Sequence, residues 1–207
     1  TIDWLLTDSR SLSFPEETLF FALTTKRNDG ARYIPDLYSR GVRNFVVSKE
    51  TYKAIENGQL TIDNSMQRDS AQPIGNCQLS TVNFLVVANP LKALQKLAEQ
   101  HREQFQIPVI GITGSNGKTI VKEWLHQLLS PERVIVRSPR SYNSQIGVPL
   151  SVWQMNEQSE LAIFEAGISE MGEMRALQNI IKPTIGILTN ICLLYTSDAA
   201  DEARSVD

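Results

Sequence analysis

The chain has 207 residues, 42% hydrophobic and 21% charged, with 20 Lys and Arg against 23 Asp and Glu and a formal charge of -3. This composition excludes a disordered or collagen-like chain, and the lack of net positive charge argues against a nucleic-acid binder, which needs a basic face for phosphates. Its length allows one to two domains, each large enough for its own core. Cys77 and Cys192 show no CxxC or Cys/His spacing, so neither a disulfide framework nor a zinc site is expected, and a reducing cytoplasm fits. No apolar run approaches the ~20 residues of a membrane span. TIDWLLTDSR also lacks the basic start and apolar stretch of a signal peptide.

Over residues 1–88, short apolar runs alternate with turns. TLFFAL, RNFVVS and VNFLVVA read as strands, and ARYIPDLYSRG as a helix, because Tyr33, Leu37 and Tyr38 recur at helical spacing. Glu56 to Asn76 is polar throughout and reads as a long turn or excursion. Leu91, Leu94, Leu97 and Ala98 then form an apolar stripe, so residues 89–106 are expected to form a helix linking two domains. From Ile107 the order becomes strand, loop, helix, repeated. It runs IPVIGIT, a Gly-rich loop, KTIVKEWLHQLL, RVIVRS, a turn-rich stretch to Gly147, a short helix opened by Pro149, ELAIFEAG, a helix from Met174 to Ile181, and TIGILTN. The expected class is therefore α/β: a small N-terminal α/β domain followed by a P-loop-type, doubly wound parallel sheet over 107–191.

The strongest chemical signal is VIGITGSNGKT, Val109 to Thr119, lying between a predicted strand and a predicted helix. In that context Gly114, Ser115, Asn116 and Gly117 offer backbone N-H groups to an anion, Lys118 can reach the β and γ phosphates, and the Thr119 hydroxyl can ligate Mg²⁺. The strict GxxxxGK[ST] spacing is not met, since Ile112 stands five before Gly117. Glu165 ends an apolar strand, where a carboxylate can bind Mg²⁺ or orient its water. Asn143, taken alone, is an ordinary turn residue. His101 and His126 are given no catalytic role.

TGSNGKT resembles the ATP loop of the Mur ligases, cytoplasmic enzymes that build the peptide stem of peptidoglycan, and of their folylpolyglutamate synthase relatives. SYNSQIGVPLS matches the family's Asn-x-x-x-Gly-x-Pro segment through Asn143, Gly147 and Pro149, and AIFEAGIS resembles the strand whose glutamate helps hold magnesium, here Glu165. The resemblance implies a truncated ATP-binding domain over 107–191, with Lys118, Glu165 and Asn143 catalytic and Thr119 and Glu165 on the metal. LTDSR and TLFFALTTKRNDGARYI resemble the family's uridine-nucleotide-binding domain, implying a UDP-substrate domain over 1–88 with Ser9, Arg10, Thr24, Thr25 and Lys26 at the nucleotide. Within the family the wording is most similar to members that join D-alanyl-D-alanine to UDP-N-acetylmuramoyl-tripeptide through an acyl phosphate, and to Bacteroidetes-type versions fused to an alanine racemase domain. Two other functions stay open on the residues: a non-catalytic UDP-sugar-peptide or nucleotide-binding module, and another P-loop ligase such as a folylpolyglutamate synthase.

Residues 192–207, CLLYTSDAADEARSVD, break this pattern and resemble the translation of a transposase sequencing adapter. Without them 19 basic and 19 acidic residues remain. Cys192 stands after ILTNI, where the family carries a metal-site histidine. Resequencing the gene across the Ile191 codon with adapter-free long reads is expected to show a frame that continues into a histidine-bearing loop. A stop codon directly after CLLYTSDAADEARSVD would overturn that expectation.

Overall fold

Apolar runs bounded by turn residues become the strands of two all-parallel sheets, because crossover connections, several of them helical, return each strand in the same direction. The structure, a computed structural model, describes residues 1–25, 29–58, 82–167 and 172–191. The chain divides into two compact units, Thr1–Leu97 and Ala98–Asp207. Lys26, Cys77, the 192–207 segment and most of the polar excursion lie outside the described residues.

In the first unit, β1 (Trp4–Leu6), β2 (Thr18–Phe21), β3 (Asn44–Ser48) and β4 (Asn83–Val87) pair in that order. Helix α1 (Ile34–Ser39) and helix α2 (Lys49–Glu56) connect them. Ile34, Leu37 and Ile55 from these helices share one core with Phe20, Phe45 and Val47. The ARYIPDLYSRG helix begins as a 3-10 turn, Gly30–Tyr33, before α1. Helix α2 was not foreseen. It carries one buried residue, Ile55, and starts on Ser48, whose hydroxyl accepts from Thr51 N at 3.1 Å, an N-cap that satisfies one orphan amide.

Helix α3 (Pro90–Glu103) buries Leu94 and Ala98 and is capped by Asn89, whose side chain accepts from Lys92 N at 3.0 Å. The division between the two units falls within it, after Leu97. The second unit contains β5 (Val109–Thr113), α4 (Lys118–Leu129), β6 (Ile135–Arg137), α5 (Gly147–Val152), β7 (Leu161–Glu165), α6 (Glu173–Ile181) and β8 (Ile185–Leu188). Its strand order is β6-β7-β5-β8, with helices on both faces, so this sheet is doubly wound. Helix α5 opens two residues earlier than Pro149 suggested, because Gly147 N already donates to Ser144 Oγ at 3.1 Å.

Two residues at the end of α3 tie the unit together. The Arg102 guanidinium donates to Phe105 O (2.6 Å), just beyond α3, and to Ile181 O (2.9 Å) and Lys182 O (3.1 Å), the last two being carbonyls that the end of α6 leaves open. His101 packs between Phe105 and Trp153, with Nε2 2.9 Å from Met155 O. Burial pushes the imidazole below its ordinary 6.5, outweighing the backbone hydrogen bonds that raise it. Because the folded value is the lower one, the unfolded chain takes up a proton first as pH falls. His101 therefore contributes stability that is complete above about 6.5 and lost below it. The urea midpoint should drop between about pH 8 and about pH 5.5 and drop less in His101→Phe. An equal drop in both would assign the effect to another group.

Candidate functional site

The chain leaves β5 for β6, on the β7 side, and leaves β7 for β8, on the far side of β5. Right-handed crossovers in opposite directions require helices on opposite faces, and the cores show this. Val121, Leu125 and Leu129 of α4 pack on Ile110, Ile112 and Ile163, whereas Leu177 and Ile180 of α6 pack on Val109, Ala162 and Phe164. Ligands of open α/β sheets bind beyond the strand ends at such a switch point. Register pairs Ile112 with Glu165, so the loop leaving β5 and the carboxylate ending β7 emerge side by side.

The loop's shape depends on glycine. Gly114 has φ +131°, and a Cβ there would fall 2.3 Å from Thr189 Oγ1. Gly117, at φ +85°, precedes α4 and gives it no side-chain cap, so the first amides of the helix stay open to an anion. The loop is held from the end of β8: Ser115 N donates to Asn190 O (2.8 Å), and Thr189 Oγ1 donates to Asn116 O (2.6 Å) and Thr113 O (3.2 Å). Lys118 Nζ bridges the same turn, donating to Gly114 O at 2.6 Å.

Thr119 Oγ1 donates to Glu165 Oε2 at 3.1 Å and lies 3.3 Å from Ser141 Oγ. Glu165 is fully buried, its backbone N donating to Ser138 Oγ at 3.1 Å. Its Oε1 forms an ion pair at 2.9 Å with Lys122 Nζ, also fully buried, but the contact lacks hydrogen-bond alignment. Asn143 packs on the residue after next along the chain from Glu165: Gly167 N donates to Asn143 O at 2.8 Å, and a Cβ on Gly167 would lie 2.9 Å from Asn143 Cγ. Ser138, Ser141, Lys122, Thr189 and Asn190 were not singled out in the sequence. Serine, threonine and asparagine in turns carry no signal of their own, and the clue at Lys122 is a lysine three residues after Thr119 on one helix face.

In the first unit, Ser9 and Arg10 lie in a 3-10 turn after β1, and Thr24 and Thr25 follow β2. Because β1 and β2 are parallel neighbours, both loops leave the same edge of the sheet. Arg10 is exposed and forks onto Asp8, with Nε 3.0 Å from Oδ1 and Nη2 2.6 Å from Oδ2. That hydrogen-bonded guanidinium holds the Asp8 carboxyl below its ordinary value. Thr24 Oγ1 meets Asp29 Oδ1 at 3.2 Å.

Among the described residues, no three His, Cys, Asp or Glu side chains converge on a metal position. One carboxylate oxygen, Glu165 Oε2, and the Thr119 hydroxyl beside it at the Gly114–Thr119 loop still suit Mg²⁺, which takes one or two carboxylates and completes its shell with phosphates and water.

Residues 112–192 match the Mur ligase middle domain. The chain is 35% identical over 175 residues to a UDP-N-acetylmuramoyl-tripeptide--D-alanyl-D-alanine ligase of Borreliella burgdorferi, covering 84% of this chain and 34% of that protein. It is 29% identical to the Bacillus subtilis protein of the same name, over 92% of this chain and 36% of that one. Among solved structures it resembles a MurF crystal structure from Acinetobacter baumannii, with TM-score 0.74, 26% identity, 95% of this chain and 37% of that chain. It also resembles MurF from Thermotoga maritima in complex with ADP, with TM-score 0.66, 25% identity, 90% of this chain and 37% of that chain. The chain spans about a third of the length of the curated relatives it matches. Residues 112–192 of this chain are thus a Mur ligase middle domain.

Proposed function

We propose that the protein is part of an ATP-dependent amide ligase of peptidoglycan precursor synthesis, joining D-alanyl-D-alanine to UDP-N-acetylmuramoyl-tripeptide. The observation that carries this is the Gly114–Thr119 loop at the β5/β7 switch point, with the Thr119 hydroxyl on the Glu165 carboxylate. ATP supplies a γ-phosphoryl group to the terminal carboxylate of the tripeptide, and the amine of D-alanyl-D-alanine attacks the resulting acyl phosphate. The protein's share in such a transfer is positioning and charge neutralisation.

Backbone amides of Asn116 and Gly117 and the start of α4 cradle phosphate oxygens, while Gly114 and Ser115, whose amide is spent on Asn190 O, shape the loop around them. Lys118, leaving the Gly114 carbonyl, reaches them with its ammonium. Thr119 and Glu165 hold Mg²⁺, which neutralises phosphate charge when bound, and Asn143 lines the site beside Gly167. Residues 1–88 take the uridine nucleotide through Ser9, Arg10, Thr24, Thr25 and Lys26, residues 89–106 link the domains, and 107–191 act on ATP. A cytoplasmic location, where both nucleotides are found, and an alanine racemase domain fused in the full-length protein belong to the same proposal.

Lys118→Ala should abolish ATP-driven turnover in the full-length ligase, by at least about a hundredfold, with little loss of fold. Calorimetry on the 207-residue chain should show binding of ADP and of UDP-N-acetylmuramoyl-tripeptide, the first weakened at least about tenfold by the substitution. Unchanged single-turnover phosphate release in the full-length variant would remove Lys118 from its role.

A further inference from the structure

Lys122 is fully buried and has no part in the chemistry assigned so far. It follows Thr119 by three residues on α4, which places both side chains on one face. Its ammonium joins three segments: it lies 2.9 Å from Glu165 Oε1 and donates to Ser138 O at 2.8 Å and to Arg140 O. The neighbouring Glu123 carboxylate stands 3.3 Å away but is bound to Arg137 at 2.5 Å.

Two features show what this ammonium does. Arg140 has φ +50°, a left-handed conformation that is unfavourable for a non-glycine residue, and its carbonyl is held there by Lys122. The next residue, Ser141, brings its hydroxyl to Thr119. On the other side, Oε1 of Glu165 is taken by the ammonium while Oε2 meets the Thr119 hydroxyl. A buried ion pair is about as stable as, or less stable than, an apolar pair of similar volume. Stability therefore does not account for this pair, whereas its geometry orders everything around Thr119.

We propose that Lys122 is a positioning residue for the nucleotide's Mg²⁺. It fixes Glu165 by Oε1 so that Oε2 faces Thr119, and the carbonyls of Ser138 and Arg140 are the anchor that holds its ammonium in place to do so. This rests on Thr119 and Glu165 being the metal site.

The test measures ADP affinity of the 207-residue chain by calorimetry in Mg²⁺ and in EDTA, with circular dichroism as the fold control. The ratio of the two affinities reports metal coupling, and it should be about tenfold or more in the unsubstituted chain. Lys122→Met should cut the ratio at least about fivefold while changing ADP affinity in EDTA by less than about twofold. In a Glu165→Gln background the same substitution should change the ratio by less than about twofold, because the group it acts through is already gone.

A ratio kept by Lys122→Met, an equal loss in both backgrounds, or a parallel fall of the affinity in EDTA would overturn the positioning role. Lys122→Met alone leaves a carboxylate buried and unpaired. If it fails to fold, Lys122→Gln, which keeps a donor for the two carbonyls but brings no cation to Oε1, takes its place: a ratio cut at least about fivefold supports the role and a kept ratio ends it. A ratio of one in the unsubstituted chain would instead overturn the metal site itself, and the positioning role with it.

Discussion

The second unit is organised by one topological constraint: two right-handed crossovers leave neighbouring strands in opposite directions. That alone puts α4 and α6 on opposite faces and opens the space beyond the ends of β5 and β7. Residues 46 positions apart in sequence, Thr119 and Glu165, then meet because Ile112 is registered on Glu165. The loop between β5 and α4 has little freedom left. It must pass under Thr189 and Asn190 at the end of β8, and a backbone approach of that closeness, at φ +131°, is open only to glycine at position 114. The geometry of this loop thus depends on a strand more than seventy residues downstream, β8.

The first unit is free of that constraint. Its strands advance in one direction, β1 to β4, so successive right-handed connections lay α1 and α2 on a single face, over Phe20, Phe45, Val47 and Phe84. Such a sheet offers no switch point among its described strands. A ligand there must lie along the loops at the strand ends, and Ser9, Arg10, Thr24 and Thr25 are on those loops. Arg10 already engages Asp8 in solvent, where an exposed pair holds its partner weakly. An anion could displace that carboxylate at small cost.

The fold was largely legible because parallel sheets write themselves as continuous apolar runs: FVV, FLVV, VIGI and LAIF each became a strand. Helix α2 escaped because KETYKAIE has one buried residue and its evidence is a cap, not a period. The three residues of β1 are too few to show any period. In the candidate site, the positions of the Gly-rich loop and of Glu165 were readable because each lies at the end of a strand. Lys122, Ser138, Ser141 and Thr189 were not, because their partners are non-local. A lysine in a helix reads as solvated until a carboxylate arrives from another strand.

Helix α4 carries this conflict furthest. Ile120, Trp124 and Leu128 recur every four residues, the spacing of a face that ordinarily packs inward, yet they are 56%, 62% and 73% exposed while Lys122 is sealed. The rotation of the helix explains both facts. Thr119 must face Glu165, and three residues later the same face presents Lys122 to that carboxylate. Ile120, turned about 100° from Thr119, and the residues four and eight beyond it are then carried away from the sheet. Hydrophobic burial gives this rotation little direction, because turning Ile120, Trp124 and Leu128 inward would turn Val121, Leu125 and Leu129 off the sheet, three apolar side chains for three. The ion pair, the two carbonyls on Lys122 and the short β5–α4 turn hold the observed one, so the phase of α4 is set by what the loop must present and not by what the helix could bury.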